Sequence, residues 1–389
     1  MLKMKLKIVN ANIVDKDNDF YGSVLIEDGT IIKVGTASEL ENEVYDEVYD
    51  INGLTLMPAF VDVHSHFRTP GFEYKEDFTT GLSAALKGGY GTVFAMANTN
   101  PVCDSVELVS ENNQKANALK KVNFNQIPAL GKNLRDVEFV DYVNLRKHCA
   151  IFSNDGITVF SDDFMREALK MSTKYDFSIC THSEPEVEIV TRDVALLKNV
   201  GGNLHVCHIS TQKTVEAIIV GKEANLNISC EVTPHHLFDS GLDYHVAPVF
   251  GTEEDRQALI SAVKRGIVDI LATDHAPHTK KDKEKGANGI SNIEVAFQMY
   301  WKVFSDNDIS LRTFSKMISY NPAKLTRLNK GLIKAGYDAD LVVIDKDRVD
   351  YIDINNFVSK SNNTPFDKRE VRGKVIMTIV DGEKRYSCE

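Results

Sequence analysis

Eight short apolar stretches recur between residues 55 and 272, and segments of helical period separate many of them. They lie at 55–63, 91–95, 124–129, 150–152, 178–181, 203–208, 227–232 and 268–272. The intervening segments 163–175, 211–222 and 254–265 repeat apolar residues at the three- and four-residue spacing of an amphipathic helix. Such alternation calls for a parallel sheet, because a parallel connection has to cross back over the sheet. Eight such strands predict an α/β chain with a (β/α)8 TIM-like barrel, whose chemistry sits on loops at the C-terminal strand ends.

Both ends of the chain read differently. Segments 5–14, 23–26 and 31–34 are strand-like, with Glu27-Asp28-Gly29 as a hairpin turn. After Lys330 a turn at Gly336 leads into another strand, and 373–380 is one more. We expect these pieces to pair into a small composite β-sandwich domain, residues 1–57 with 331–389, beside a barrel spanning 58–330.

Composition excludes several partners. The balance of 45 Lys+Arg against 56 Asp+Glu gives a net charge of −11. A basic face for nucleic acid or an acidic membrane is therefore not expected. No stretch approaches 18 apolar residues, and the N-terminal run has no signal-like apolar core. The mixed-sign run 280–285 reads as a solvated loop. Cys103, Cys149, Cys180, Cys207, Cys230 and Cys388 form no CxxC pair, and most lie in apolar runs. They read as buried free thiols of a reducing, cytoplasmic compartment.

Chemistry-bearing residues collect at five strand ends. His64 and His66 follow the first strand in Asp62-Val-His-Ser-His66, and strand alternation sends both imidazoles to one side. Asp155 follows 150–152, His182 follows 178–181, and Thr233-Pro-His-His236 follows 227–232. Thr273-Asp-His-Ala-Pro-His278 follows 268–272. Imidazoles and carboxylates without thiolates suit zinc or a similar divalent ion. Four histidines and two aspartates exceed one catalytic site of three protein ligands and a water. One or two zinc ions are expected, two being favoured, with one carboxylate bridging.

These motifs closely resemble type I dihydroorotases of the amidohydrolase superfamily. The resemblance is carried by Asp62-Val-His-Ser-His-Phe-Arg68, Ala97-Asn-Thr-Asn-Pro101, Asn154-Asp-Gly156, His205-Val-Cys-His-Ile-Ser-Thr211, Glu231-Val-Thr-Pro-His-His-Leu237, Ala272-Thr-Asp-His-Ala-Pro-His278 and Asn363-Thr-Pro-Phe366. It implies that His64 and His66 hold one metal beside Asp274, that His182 and His235 hold the other, and that Asp155 bridges. A bridging lysine, usual in dihydropyrimidinase-like relatives, has no counterpart at the fourth strand end. Asp274 is implied as the proton shuttle. Arg68, Asn98 and His278 are implied as substrate contacts, and a guanidinium fork suits a carboxylate. His208, His236 and His275 are read as outer or structural residues, and His148, His205 and His245 as structural.

The implied activity is reversible interconversion of L-dihydroorotate and N-carbamoyl-L-aspartate through a metal-activated hydroxide, in pyrimidine synthesis. The alternatives are another cyclic amidohydrolase, of hydantoinase or allantoinase type, or a non-catalytic homologue acting as an assembly partner. A homodimer and association with aspartate carbamoyltransferase are implied by resemblance alone. One loop departs from the family pattern Asn-Pro-Pro-(Leu/Ile)-Arg. Residues 246–251 read Val-Ala-Pro-Val-Phe-Gly, with Ala247 for the Asn and Gly251 for the Arg.

Overall fold

The computed structural model describes residues 5–388. Residues 1–4 and 389, which the expected terminal domain and the leader reading include, lie outside the described residues. The chain opens with the antiparallel strands β1 (Lys5–Val14), β2 (Asp19–Glu27) and β3 (Thr30–Gly35). Strands β4 (Glu47–Asp50) and β5 (Thr55–Pro58) run parallel to β1.

The alternating region follows. Its strands are β6 (Phe60–Ser65), β7 (Tyr90–Ala95), β8 (Asn123–Gln126), β9 (Ile151–Ser153), β10 (Ser178–Thr181), β11 (Leu204–Val206), β12 (Ile228–Val232) and β13 (Ile270–Leu271). Between them run α1 (Phe78–Lys87), α2 (Val106–Asn117), α3 (Tyr142–Leu145), α4 (Asp162–Lys174), α5 (Glu186–Val200), α6 (Gln212–Glu223), α7 (Pro234–Phe238) and α8 (Glu253–Lys264). Helices α9 (Lys280–Glu284) and α10 (Ala296–Asp306) come after β13. The last strands are β14 (Leu341–Tyr351), β15 (Glu370–Val380) and β16 (Glu383–Ser387).

Local chemistry starts and faces these helices. In α4 the Ser161 side chain caps the N-terminus, and Phe164, Met165, Ala168, Leu169 and Ser172 form the buried face. Burying each large apolar side chain contributes roughly 1.5–3 kcal/mol. In α8, Thr252 and Asp255 form a reciprocal capping box.

Strands β6, β7 and β8 form one parallel sheet, and β9 to β13 another. Backbone bonds close both seams. Asp274 N donates to His64 O at 2.9 Å, and His66 N donates to His275 O at 2.8 Å. On the other side Ser153 N donates to Pro128 O at 3.1 Å. The result is a TIM-like barrel of eight parallel strands. Val61, Phe94, Ile127, Ile151, Cys180, Cys207 and Ile270 pack into one buried cluster drawn from both sheets. Besides strand and loop residues the cluster takes in Ala323, from the short helix Asn321–Leu325, and it fills the barrel interior.

Strands from the two ends of the chain meet in a single sheet of order β16-β15-β14-β5-β1-β2-β3, with β4 against β1. Leu6, Ile8, Ile13, Val24, Leu56, Leu341, Val343 and Ile379 form its core. One expectation changes here. The stretch 55–63 is two strands, because Thr55–Pro58 pairs with β14 and β1. Ala59 N then donates to Asp340 O at 2.9 Å, and β6 begins at Phe60. The five cysteines Cys103, Cys149, Cys180, Cys207 and Cys230 are buried and free, and Cys388 is free and half-buried.

Candidate metal centre

The seam between the first and eighth barrel strands builds the site. The backbone bonds at His64, His66, Asp274 and His275 set two imidazoles beside one carboxylate. His66 Nε2 lies 3.2 Å from Asp274 Oδ1, and His64 Nε2 lies 3.5 Å from it. Asp62, buried below, accepts from Thr273 N at 2.9 Å and Thr273 Oγ1 at 2.6 Å, which clamps the same seam. The β6–β7 ladder shifts register between Asp62 and Ser65, so simple alternation does not govern this end. Both imidazoles nevertheless converge on Asp155. His64 Nε2 is 3.3 Å from its Oδ1, and His66 Nε2 is 3.4 Å from its Oδ2.

Asp155 also faces a second group. Its Oδ1 lies 3.5 Å from His182 Nδ1 and 3.8 Å from His208 Nε2, and these two nitrogens are 3.2 Å apart. The ligand atoms of His64, His66 and Asp155 lie within 4.8 Å of one another, as do those of Asp155, His182 and His208. Asp155 is thus shared by two triads.

Spacing and charge both suit divalent ions. Tetrahedral bonds of 2.0–2.1 Å to zinc set neighbouring ligand atoms about 3.3 Å apart. The separations here run from 3.2 to 3.8 Å. Buried His64 Nε2 and Asp155 Oδ1 have no hydrogen-bond partner, although buried polar atoms normally find one. Three buried carboxylates, Asp155, Glu231 and Asp274, surround His64. Burial opposes the protonated form of His64, yet Asp155, Glu231 and Asp274 hold its pKa well above the usual histidine value. Burial would likewise raise Asp274, but His64 and His66 outweigh it and keep the carboxyl well below the usual range. A site that draws protons this strongly is one that a cation satisfies.

Tautomers fit the same reading. His66 Nδ1 is 3.0 Å from Asn98 Oδ1 and donates to it, which leaves Nε2 as the lone pair facing the carboxylates. Asn98 Nδ2 donates to Asp155 Oδ2 at 3.3 Å. Asn98 therefore braces both His66 and Asp155, beyond the substrate contact that the sequence suggests. A further group of ligand atoms, His64, Cys207 and Glu231, lies deeper. In the metal-free site burial and Cys180 push the Cys207 thiol well above its ordinary range.

The expected ligand His235 is placed differently. Thr233 caps α7 and Pro234 opens its first turn, which fixes the His235–His236 pair. The His235 ring packs on His236, with centroids 4.5 Å apart, and on Phe250 at 5.9 Å. Its Nδ1 is 3.3 Å from Asn292 Nδ2. Among the described residues His235 enters no three-residue group that could hold a metal, whereas His208 does, with Asp155 and His182. The cause is local. Strand β11 ends at Val206, and His208 turns to a φ of 32°. Arg68 (φ 59°) and Asp274 (φ 45°) share this left-handed backbone, which residues bearing a Cβ disfavour. Strain of this kind collects where function imposes it.

A cationic corner adjoins the seam. Arg68 Nε donates to Pro277 O at 3.1 Å, and its Nη2 lies 3.0 Å from His278 Nε2. Lys75 Nζ is 3.2 Å from His278 Nδ1. Burial, Arg68 and Lys75 lower the His278 pKa to about 3, so the ring is neutral. Burial lowers Arg68 to about 10, which leaves it charged at neutral pH. Asn363, from the segment between β14 and β15, accepts from His278 N at 2.8 Å.

The altered loop has a structural account. A Cβ at Gly251 would stand 2.8 Å from Asp255 Cβ and 3.0 Å from Ser210 O, so this backbone does not accept the family's Arg. Asn154 accepts from Leu130 N and Gly131 N at 2.9 and 3.0 Å and so shapes the neighbouring loop. His182, His208, Glu184, Tyr244, Ala247 and Asn288 line part of a cleft of about 570 Å³.

Residues 55–385 match the model described as the amidohydrolase family. The chain belongs to the amidohydrolase family. Its curated relatives include dihydroorotases. That of Clostridium botulinum (strain Eklund 17B / Type B) is 40% identical over 403 aligned positions, covering 98% of this chain and 100% of the relative. That of Aquifex aeolicus (strain VF5) is 32% identical over 422 positions, covering 98% and 99%. Both alignments are longer than this 389-residue chain, so each relative carries residues that it lacks. Among solved structures, L-hydantoinase (dihydropyrimidinase) from Arthrobacter aurescens superposes with a TM-score of 0.86 at 23% identity, covering 99% of this chain and 97% of that one. D-Hydantoinase (dihydropyrimidinase) from Thermus sp. gives 0.85 at 22%, covering 97% and 94%. At these identities they share the fold. No helix among the described residues is long and apolar enough to cross a membrane.

Proposed function

We infer that the chain is a metal-dependent dihydroorotase, interconverting L-dihydroorotate and N-carbamoyl-L-aspartate. The observation that carries this reading is the juxtaposition of the two triads sharing Asp155 with the Arg68–Lys75–His278 corner. It is supported by dihydroorotase relatives that match nearly the whole chain.

We propose zinc, two ions being favoured, with His64, His66 and Asp274 at one position, His182 and His208 at the other, and Asp155 between them. A divalent ion bound there polarises a carbonyl and lowers the pKa of water from 15.7 to about 7. The chain's own groups do the rest. Asp274 takes the proton of the attacking water as a C–O bond forms at the ring amide carbonyl. It returns that proton to the ring nitrogen as the C–N bond breaks. Cyclisation reverses both transfers.

Arg68 and His278 orient the substrate carboxylate. With Lys75 donating to His278 Nδ1, the proton of that ring lies on Nε2, which is 2.8 Å from Asn288 O. That N–H donates to Asn288 O, so Arg68 Nη2, 3.0 Å from the same nitrogen, faces a donor and is left for an anionic acceptor. This favours a carboxylate-bearing ring over the uncharged rings of a hydantoinase-type reaction. Arg68→Met is expected to lower kcat/KM for dihydroorotate by about 10–150-fold, the loss of one or two charged hydrogen bonds. Turnover of dihydrouracil should be unaffected, and an equal loss on both substrates would refute the assignment.

The direct test is turnover of L-dihydroorotate beside dihydrouracil, before and after chelation and zinc restoration. Dihydroorotate-selective activity that chelation removes and zinc restores is expected. A zinc-loaded preparation without dihydroorotate turnover overturns the reading. The division into a composite β-sandwich of 1–57 with 331–389 and a barrel of 58–330 belongs to this proposal, supported by the pairing of β5 with β14. So does a cytoplasmic location, which free buried thiols support. A homodimer, with aspartate carbamoyltransferase as a partner, completes it.

A further inference from the structure

Behind His64 runs a line of buried polar side chains that neither metal triad uses. Glu231 lies inside β12, fully enclosed. Its Oε1 is 2.6 Å from His64 Nδ1, and its Oε2 is 2.9 Å from His205 Nε2. His205, equally buried on β11, places Nδ1 2.8 Å from Ser229 Oγ. Three barrel strands, β6, β11 and β12, are thus joined by side chains beneath the site.

The chemistry of this line is constrained. A carboxylate accepts only, so His64 Nδ1 and His205 Nε2 both donate to Glu231. His64 is then left with Nε2 toward Asp155 and Asp274, and that atom has no partner of its own. A neutral imidazole carries one proton, so the carboxylate at Nδ1 selects which nitrogen is free to ligate. We propose that Glu231 is a positioning residue that fixes the tautomer and ring direction of His64 for metal binding, held from behind by His205. The proposal rests on the metal-centre reading above. Partners of this kind contribute about 10–100-fold to metal affinity when they are removed.

Two readouts on the full chain separate the outcomes. Zinc affinity, measured by chelator competition, is expected to fall about 10–100-fold in Glu231→Gln. The nitrogen chemical shifts of His64 in metal-free protein, recorded at alkaline pH where the ring has lost its second proton, should report Nδ1–H in the wild type and a shift toward Nε2–H in the variant. A carboxamide can present N–H to His64, which a carboxylate cannot. Wild-type affinity together with an unchanged tautomer in Glu231→Gln overturns the proposal. His205→Phe keeps a ring in place and removes the outer donor. It should weaken zinc in the same direction by a smaller factor, and it carries the test if Glu231→Gln does not fold. Unchanged zinc affinity in a folded His205→Phe removes His205 from the role. A wild-type protein that binds no zinc overturns the metal-centre reading instead, and the tautomer readout, made without metal, still decides the role of Glu231.

Discussion

Asp274→Asn is expected to lower kcat for dihydroorotate by about 10²–10⁴-fold, the usual contribution of a positioned acid–base group. KM should change little, because the proposed carboxylate contacts are Arg68 and His278. The argument is geometric. Asp274 follows the last barrel strand, on left-handed backbone at φ 45°, with Oδ1 between the imidazoles of His64 and His66. Burial alone would raise its pKa, but His64 and His66 hold the carboxyl below its usual range, so it is ionised at neutral pH. An asparagine keeps the size and one oxygen and cannot carry the proton. Most of the zinc should be retained, since His64, His66 and Asp155 remain. Steady-state kinetics with metal analysis on the same preparation checks this. Unchanged kcat refutes the shuttle, and a loss of activity that merely tracks lost zinc would make Asp274 a ligand without a proton role.

The barrel was legible because its strands, apart from β8 (Asn-Phe-Asn-Gln), are largely apolar runs that end in polar, Gly- or His-bearing loops. The structure brings His64, His66, Asp155, His182 and Asp274 together, and each follows a barrel strand closely enough for the strand direction to aim it. Legibility stopped where the backbone leaves that direction. The stretch 55–63 looks like one strand, and only the pairing of Thr55–Pro58 with β14, far along the chain, divides it. Asn98 was recognisable as a site residue, yet its two bonds to His66 and Asp155 depend on how β7 sits beside β6. Glu231 reads as an ordinary strand residue until β6 and β11 close around it. His208 had one available signal: like the ligands, it stands at a barrel strand's end. Taken as the last residue of a strand it points nowhere useful, and its φ of 32° is what turns the ring to Asp155.

That difference yields the second large effect. His208→Ala is expected to reduce zinc affinity at the His182 position by more than about 100-fold, since losing a ligand exceeds losing an outer partner. His235→Ala should leave both positions within about 10-fold of wild type, the lower end of an outer partner's contribution. The distances decide between them. His208 Nε2 is 3.2 Å from His182 Nδ1 and 3.8 Å from Asp155 Oδ1, close to what one tetrahedral ion requires. His235 is held away by its neighbours, its ring against His236 and Phe250 and its Nδ1 beside Asn292. Burial and the nearby His236 keep its pKa well below the usual histidine value, so it remains a neutral ring in an enclosed setting. Zinc stoichiometry of the two variants after gel filtration makes the comparison. One equivalent in His208→Ala against two in His235→Ala supports the assignment. The reverse result would return the ligand role to His235 and leave His208 as a residue that only braces Asp155.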